Sequence, residues 1–129
     1  MENVVDVHRY LAYSIPAGFA LMTLWAIYAF VRNREPGEWF WRLLAVVQVV
    51  LGVEVLIGIT LFVSGRRPPS NGPSWLHYVY GGFGPILVLV VAHRWARKNE
   101  GLAWVVFGAA AFVSFGLTFR AIQTGLGID

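Results

Sequence analysis

The strongest constraint on this chain is a set of four long apolar runs, each closed by residues that a membrane interior does not accept. The first runs from Leu11 to Val31, with a helix start expected near Asp6 to His8, and ends in the charged turn Arg32-Asn33-Arg34-Glu35-Pro36-Gly37. The second, from about Trp39 to Ser64, ends in Gly65-Arg66-Arg67-Pro68-Pro69-Ser70-Asn71-Gly72-Pro73, which cannot continue a helix. The third begins at Ser74 and reaches about Arg97; the fourth spans about Leu102 to Thr124. A helix of roughly 20 residues crosses ~30 Å of hydrocarbon at ~1.5 Å per residue. The runs are too long for strands and lack a two-residue alternation. Helices are therefore expected at about residues 7–32, 39–64, 74–98 and 101–124. The fold class is all-α, a single integral-membrane up-and-down four-helix bundle.

Composition agrees. Charged residues make up 13% of the chain, hydrophobic residues 57%, and the mean hydropathy is +0.61. A soluble domain carries about 25% charged residues, so a typical soluble enzyme and a disordered chain are both excluded. The net charge of +3 does not mark a nucleic-acid binder, because the basic residues punctuate the apolar runs instead of forming one surface. With no cysteine, disulfides, thiolate metal sites and cysteine nucleophiles are excluded.

Met1 to Val7 carry two acids and no Lys or Arg, so the first run does not read as a cleaved signal peptide, which needs a basic start and a shorter apolar core. Arg32, Arg34, Arg42, Arg94, Arg97 and Lys98 fall on one side of the bundle, and Arg9, Arg66, Arg67 and Arg120 on the other. The richer side is expected to be cytoplasmic, with both termini outside, in a bacterial or archaeal plasma membrane. Trp39, Trp41, Trp75, Tyr78, Trp95 and Trp104 lie near helix ends, as an aromatic belt at the headgroups requires.

Membrane physics alone does not explain His8 and His77. Each lies near the start of a helix, His77 three residues after Ser74, a good N-cap. Helices 1 and 3 run in the same direction, so both imidazoles share one depth, and in an up-and-down bundle these helices are diagonal partners. Two imidazoles facing each other across a core can hold a flat metal cofactor; the competing reading is two interfacial histidines. Gly81, Gly84 and Pro85 follow His77 at helical spacing and leave its face nearly bare, as a porphyrin or a close helix neighbour needs. Arg9, Arg66, Arg67 and Arg120 on the same layer suit haem propionates or lipid phosphates. His93, 16 residues after His77, reads as an interfacial histidine. Glu54, with Gln48 in the same helix, sits near mid-membrane by count, at the expected level of Gly18, Gly84 and Ser114. An acid there costs about 2.5 kcal/mol or more, so it is protonated, paired or water-lined, as a proton site or a plain hydrogen-bonded side chain.

The pattern Gln48-x-x-x-Gly52, an apolar stretch, a Gly/Pro loop, Leu76-His77 and a helix ending His93-Arg94, with His8-Arg9 opening helix 1, resembles a four-helix half of the haem A synthase family, and more broadly small b-type membrane cytochromes. The resemblance covers under half of the chain. It implies His8 and His77 as axial ligands of haem b. The chain departs from that family in having four helices rather than eight, in carrying the histidines on its first and third helices, and in lacking the extracellular cysteine pair. Haem binding is thus implied more than haem A synthesis, and electron transfer, with quinol or a respiratory-complex partner, more than stand-alone catalysis. Two other readings stand beside it: a proton-coupled small-molecule transporter using Glu54, and a cofactor-free structural subunit, either of them open to homo-oligomerisation. Nucleic acid is not an expected partner.

Overall fold

The computed structural model describes residues 2–69 and 71–128. Four helices dominate: α1 (Glu2–Val31), α2 (Glu38–Val63), α3 (Trp75–Lys98) and α4 (Ala103–Leu126), the last entered through a 3-10 turn at Glu100–Leu102. Among the described residues there is no strand. The shortest helices have 24 residues and extend about 36 Å, so all four are long and apolar enough to cross a bilayer.

Three boundaries differ from expectation. Helix α1 starts at Glu2, where an acid in the first turn suits the positive end of the helix dipole, so His8 lies inside the helix and not at its opening. Ser74 precedes α3 but makes no side-chain cap bond. Helix α4 begins after the 3-10 turn and closes at Gly127, in the left-handed conformation with φ of 74°, which glycine adopts without strain.

Each helix buries one stripe whose spacing alternates between four and three residues. In α1 it is Ile15, Phe19, Met22, Ala26 and Ala29; in α2 Phe40, Leu44, Val47, Leu51 and Glu54; in α3 Pro85, Leu89, Ala92 and Ala96. In α4 it is Phe107, Ala111, Ser114, Thr118 and Ala121. This is the seam of a left-handed bundle. Helix α1 packs on α2 and α4, and α3 packs on α4. Helices α1 and α3 are diagonal, and α2 approaches α3 closely only at residues 79–83. Small residues set the tightest crossings: a Cβ on Gly108 would lie 2.6 Å from Ala26 Cβ. Large apolar side chains such as Leu24, Phe30, Val46, Val63 and Phe112 point outward.

Helix α3 contains a π-helical segment, Val79–Phe83. Gly84 donates its N–H to the carbonyl of Val79, five residues back, and Pro85 has no N–H to give to Gly81. In a plain α-helix, the eight residues from His77 to Pro85 would put His77 about 80° out of line with the Pro85–Ala96 stripe. The extra residue of the π turn removes about 100° of that advance. His77 therefore falls into the seam. The same phase shift corrects the expected clearance below His77. Gly81 packs against Ala121, whose Cβ would lie 3.2 Å from an added Cβ, and Gly84 packs against Leu117 and the Val79 carbonyl. Both glycines admit α4 and their own π turn.

Candidate functional site

One layer of the bundle, at the end that holds the termini, is polar. Helix α1 contributes His8, two turns before the start of its apolar stripe at Ile15. Helix α2 contributes Glu54, only 5% exposed. Helix α3 contributes His77, and α4 contributes Ala121 and Thr124, both buried. The heptad spacing carries His8, Glu54, Ala121 and Thr124 into the same seam, and the π turn brings His77 there.

The two imidazoles meet. Their ring centroids lie 6.2 Å apart with 74° between the planes. His77 Nδ1 is 3.0 Å from the carbonyl oxygen of Ala121 and 3.1 Å from Thr124 Oγ1. A carbonyl only accepts, so Nδ1 donates and carries the proton, which leaves a lone pair on Nε2. Thr124 donates its hydroxyl hydrogen to the same Ala121 carbonyl at 2.9 Å. His8 Nδ1 lies 2.8 Å from Glu54 Oε1, although the alignment falls short of a hydrogen bond, and neither carboxylate oxygen has another partner among the described residues. The carboxylate favours the proton on His8 Nδ1, again leaving Nε2 as the lone-pair nitrogen.

Glycines flank both rings. A Cβ on Gly58 of α2 would come to 3.5 Å from His8 Cε1, and one on Gly125 of α4 to 3.0 Å from His77 Cε1. Neither glycine stood out in the sequence, nor did Thr124; extending the α2 and α4 seams by one turn would have found all three.

Other expected members lie apart. Glu54 belongs to the His8 layer. The packing does not put Glu54 level with Gly18: a Cβ on Gly18 would meet Val47, two turns away along α2. The arginines ring the same end of the bundle but have other partners. Arg66 pairs with Glu2 at 3.2 Å, and Arg67 donates to the Phe62 carbonyl and lies 4.0 Å from the Phe62 ring centroid. Arg120 donates to Gln123 Oε1 at 2.7 Å and stands over Tyr80, while Arg9 is exposed.

No family model, curated protein or solved structure matches this chain.

His93 and Gln48, treated separately in the sequence, form a pair. His93 Nε2 is 2.6 Å from Gln48 Oε1, joining α3 to α2 about 9 Å along α2 from Glu54 toward the α1–α2 loop. The His93 ring packs edge-on to Phe107 at 4.7 Å.

Proposed function

We propose that this chain is an integral-membrane haem protein of b type, with haem b held axially by His8 and His77 and a role in electron transfer within a respiratory system. One observation carries this reading. Two imidazoles from diagonal helices face each other; His77 Nδ1 donates to the Ala121 carbonyl and His8 Nδ1 lies 2.8 Å from Glu54 Oε1, so each ring can offer Nε2. Metal-bound histidines take this form: the second nitrogen donates to a carboxylate or a backbone carbonyl, which sets tautomer and orientation. Two imidazoles bound to one metal at about 2 Å have centroids roughly 6 Å apart, and these stand 6.2 Å apart. Among the described residues no three His, Cys, Asp or Glu side chains could hold a bare metal ion. A two-histidine site suits a metal whose remaining ligands come from a macrocycle.

The chain's own contributions follow from the layer. The Ala121 carbonyl and Thr124 hydroxyl hold the His77 ring, Glu54 lies beside the His8 ring, and Gly58 and Gly125 let the two rings lie close against α2 and α4. When bound, bis-histidine haem supplies reversible one-electron chemistry with no open iron position for oxygen. Arg9, Arg66, Arg67 and Arg120 lie at the end of the bundle where propionates would need cations. Membrane placement with both termini outside belongs to the same proposal.

A second reading rests on Glu54. A buried carboxylate with both oxygens short of an aligned partner also suits a proton-coupled carrier. Spectra separate the two. The wild type, His8→Ala and His77→Ala, purified from haem-replete cells, are compared as reduced-minus-oxidised spectra. The wild type is expected to show a six-coordinate low-spin band that each substitution abolishes. A colourless wild type, or two variants that keep the band, removes the haem reading.

A further inference from the structure

We infer that the groove between the last turns of α1 and the α1–α2 loop holds the headgroup of phosphatidylethanolamine, a phosphate and a primary ammonium carried on two acyl chains. Helix α1 ends in a Schellman turn. Asn33 takes the left-handed conformation with φ of 54°. Its N–H donates to the Phe30 carbonyl at 3.1 Å, and the Arg34 N–H reaches back to the Ala29 carbonyl at 3.0 Å. The chain therefore folds back at the helix end, and Arg32, Arg34 and Glu35 line a groove of about 180 Å³ together with Trp25 and Tyr28. Sites for drug-sized ligands run to ~300–1,000 Å³, so this groove suits a headgroup whose tails stay outside. Trp25 is a fixed wall, half-buried against the core with its ring edge-on to Phe40 at 6.1 Å.

The charges select the ligand. Among the described residues, Arg32, Arg34 and Glu35 form no ion pair, whereas Glu38 pairs with Arg42 at 2.9 Å and Glu2 with Arg66 at 3.2 Å. Two cations and a carboxylate that line one groove without pairing match a zwitterion. The guanidinium groups suit phosphate oxygens, and Glu35 accepts from an ammonium. An anionic headgroup without an amine, such as that of phosphatidylglycerol, leaves the carboxylate beside a like charge. The quaternary ammonium of choline has no N–H to donate and is held by open aromatic faces, yet Arg32 already stands over the Tyr28 ring at 5.9 Å. A primary ammonium is the match that remains. The lipid source follows from position. Leu21 and Leu24 are exposed on the same side of α1, one to two turns before Tyr28, where tails of a lipid seated in the groove would run. The inference needs the membrane placement of the helices and no haem.

The full chain in detergent micelles is titrated with dioleoyl phosphatidylethanolamine, phosphatidylcholine and phosphatidylglycerol, and native mass spectrometry of the adducts gives each Kd. The wild type is expected to bind phosphatidylethanolamine about three- to fivefold more tightly than either of the others, a ratio that an exposed ion pair supports. Glu35→Gln should erase that preference, and Arg34→Gln should weaken binding of all three lipids, both with the helical circular dichroism unchanged. Equal binding of the three lipids by the wild type overturns the inference, as does a preference for either of the other two or a preference that survives Glu35→Gln. Soluble phosphoethanolamine at the same concentration should leave the lipid bound; displacement would make the groove a site for the free headgroup and overturn the lipid source. Should the variants lose their fold, a water-soluble carbodiimide on the wild type with phosphatidylethanolamine decides. The reagent joins a primary amine to a carboxylate as an amide and takes up the water released. A lipid adduct on Glu35 supports the site, and adducts confined to other acids overturn it. A colourless protein with this lipid preference removes the haem reading and leaves the inference, and a haem-bearing protein without it does the reverse.

Discussion

Deleting Gly82 should remove the π turn and swing His77 out of its layer. The π segment holds one residue more than an α-helix needs between Tyr78 and Gly84, so its removal lets α3 close into a regular helix and turns everything N-terminal to it by about 100°. On a Cα cylinder of ~2.3 Å radius, that rotation carries the imidazole away by several ångströms. Two contacts are lost, to the Ala121 carbonyl at 3.0 Å and to Thr124 Oγ1 at 3.1 Å. Both share the one Nδ1 hydrogen, so at a net of about 1 kcal/mol for a hydrogen bond the cost is about 1 kcal/mol, before counting the poorer packing of Tyr78 if it turns into the seam. Gly82→Ala is the length-preserving control, since its Cβ would meet only Val55 Cγ2 at an ordinary 3.6 Å. Thermal unfolding in detergent and the reduced-minus-oxidised spectrum are the assays. The deletion should lower Tm and abolish the low-spin band, whereas Gly82→Ala should match the wild type. A deletion variant with wild-type Tm and spectrum would refute the claim that the π turn sets the phase of His77.

Reporter fusions in the Arg32–Arg42 loop and after the last helix should report the loop as cytoplasmic and the C-terminus as outside; the reverse would invert the orientation. Gly108→Val should destabilise the bundle by about 1–3 kcal/mol through overpacking, because even its Cβ would sit 2.6 Å from Ala26 Cβ, and chemical unfolding in mixed micelles reads the loss. Glu54→Gln should keep the helical content and, in the haem reading, the six-coordinate spectrum, because an amide oxygen still accepts from His8 Nδ1. Glu54→Leu should weaken haem retention during purification.

The helical part of this fold was legible because hydrophobic length and charged breaks are one-dimensional signals: Arg32 to Gly37 and Gly65 to Pro73 stop helices wherever they occur. The pairing of His8 with His77 was legible too, because direction of travel and depth follow from counting residues. Counting failed where the count itself changes meaning. The clearance expected from Gly81 and Gly84 assumed a constant 3.6-residue turn, and the π segment breaks that phase just below His77. The levelling of Glu54 with Gly18 assumed helices that start level, whereas α1 begins at Glu2 and brings His8 to the Glu54 turn. The Gln48–His93 pair was hidden for a third reason. The two residues are 45 apart in the chain, and spacing within one helix does not show which amide of a neighbouring helix faces a histidine.

The two histidines are held by unlike means, and the difference is informative. His77 rests on a backbone carbonyl and a hydroxyl, both uncharged and both on α4, so its position depends on the seam between α3 and α4 and on the π turn that aims it there. His8 lies beside a carboxylate from α2, and in the proposed membrane setting a buried acid costs about 2.5 kcal/mol or more at the helix centre. The apolar alternative was sterically open: Leu51 precedes Glu54 in the same stripe, and Leu61 is buried further along α2. A stripe of leucine would pack this turn without that cost, and such packing is often at least as stable as a buried polar group. Glu54 therefore adds nothing that packing alone requires. What the carboxylate adds is an oxygen 2.8 Å from His8 Nδ1, a polar neighbour that leucine could not supply. It stands, on another helix, where the Ala121 carbonyl stands for His77.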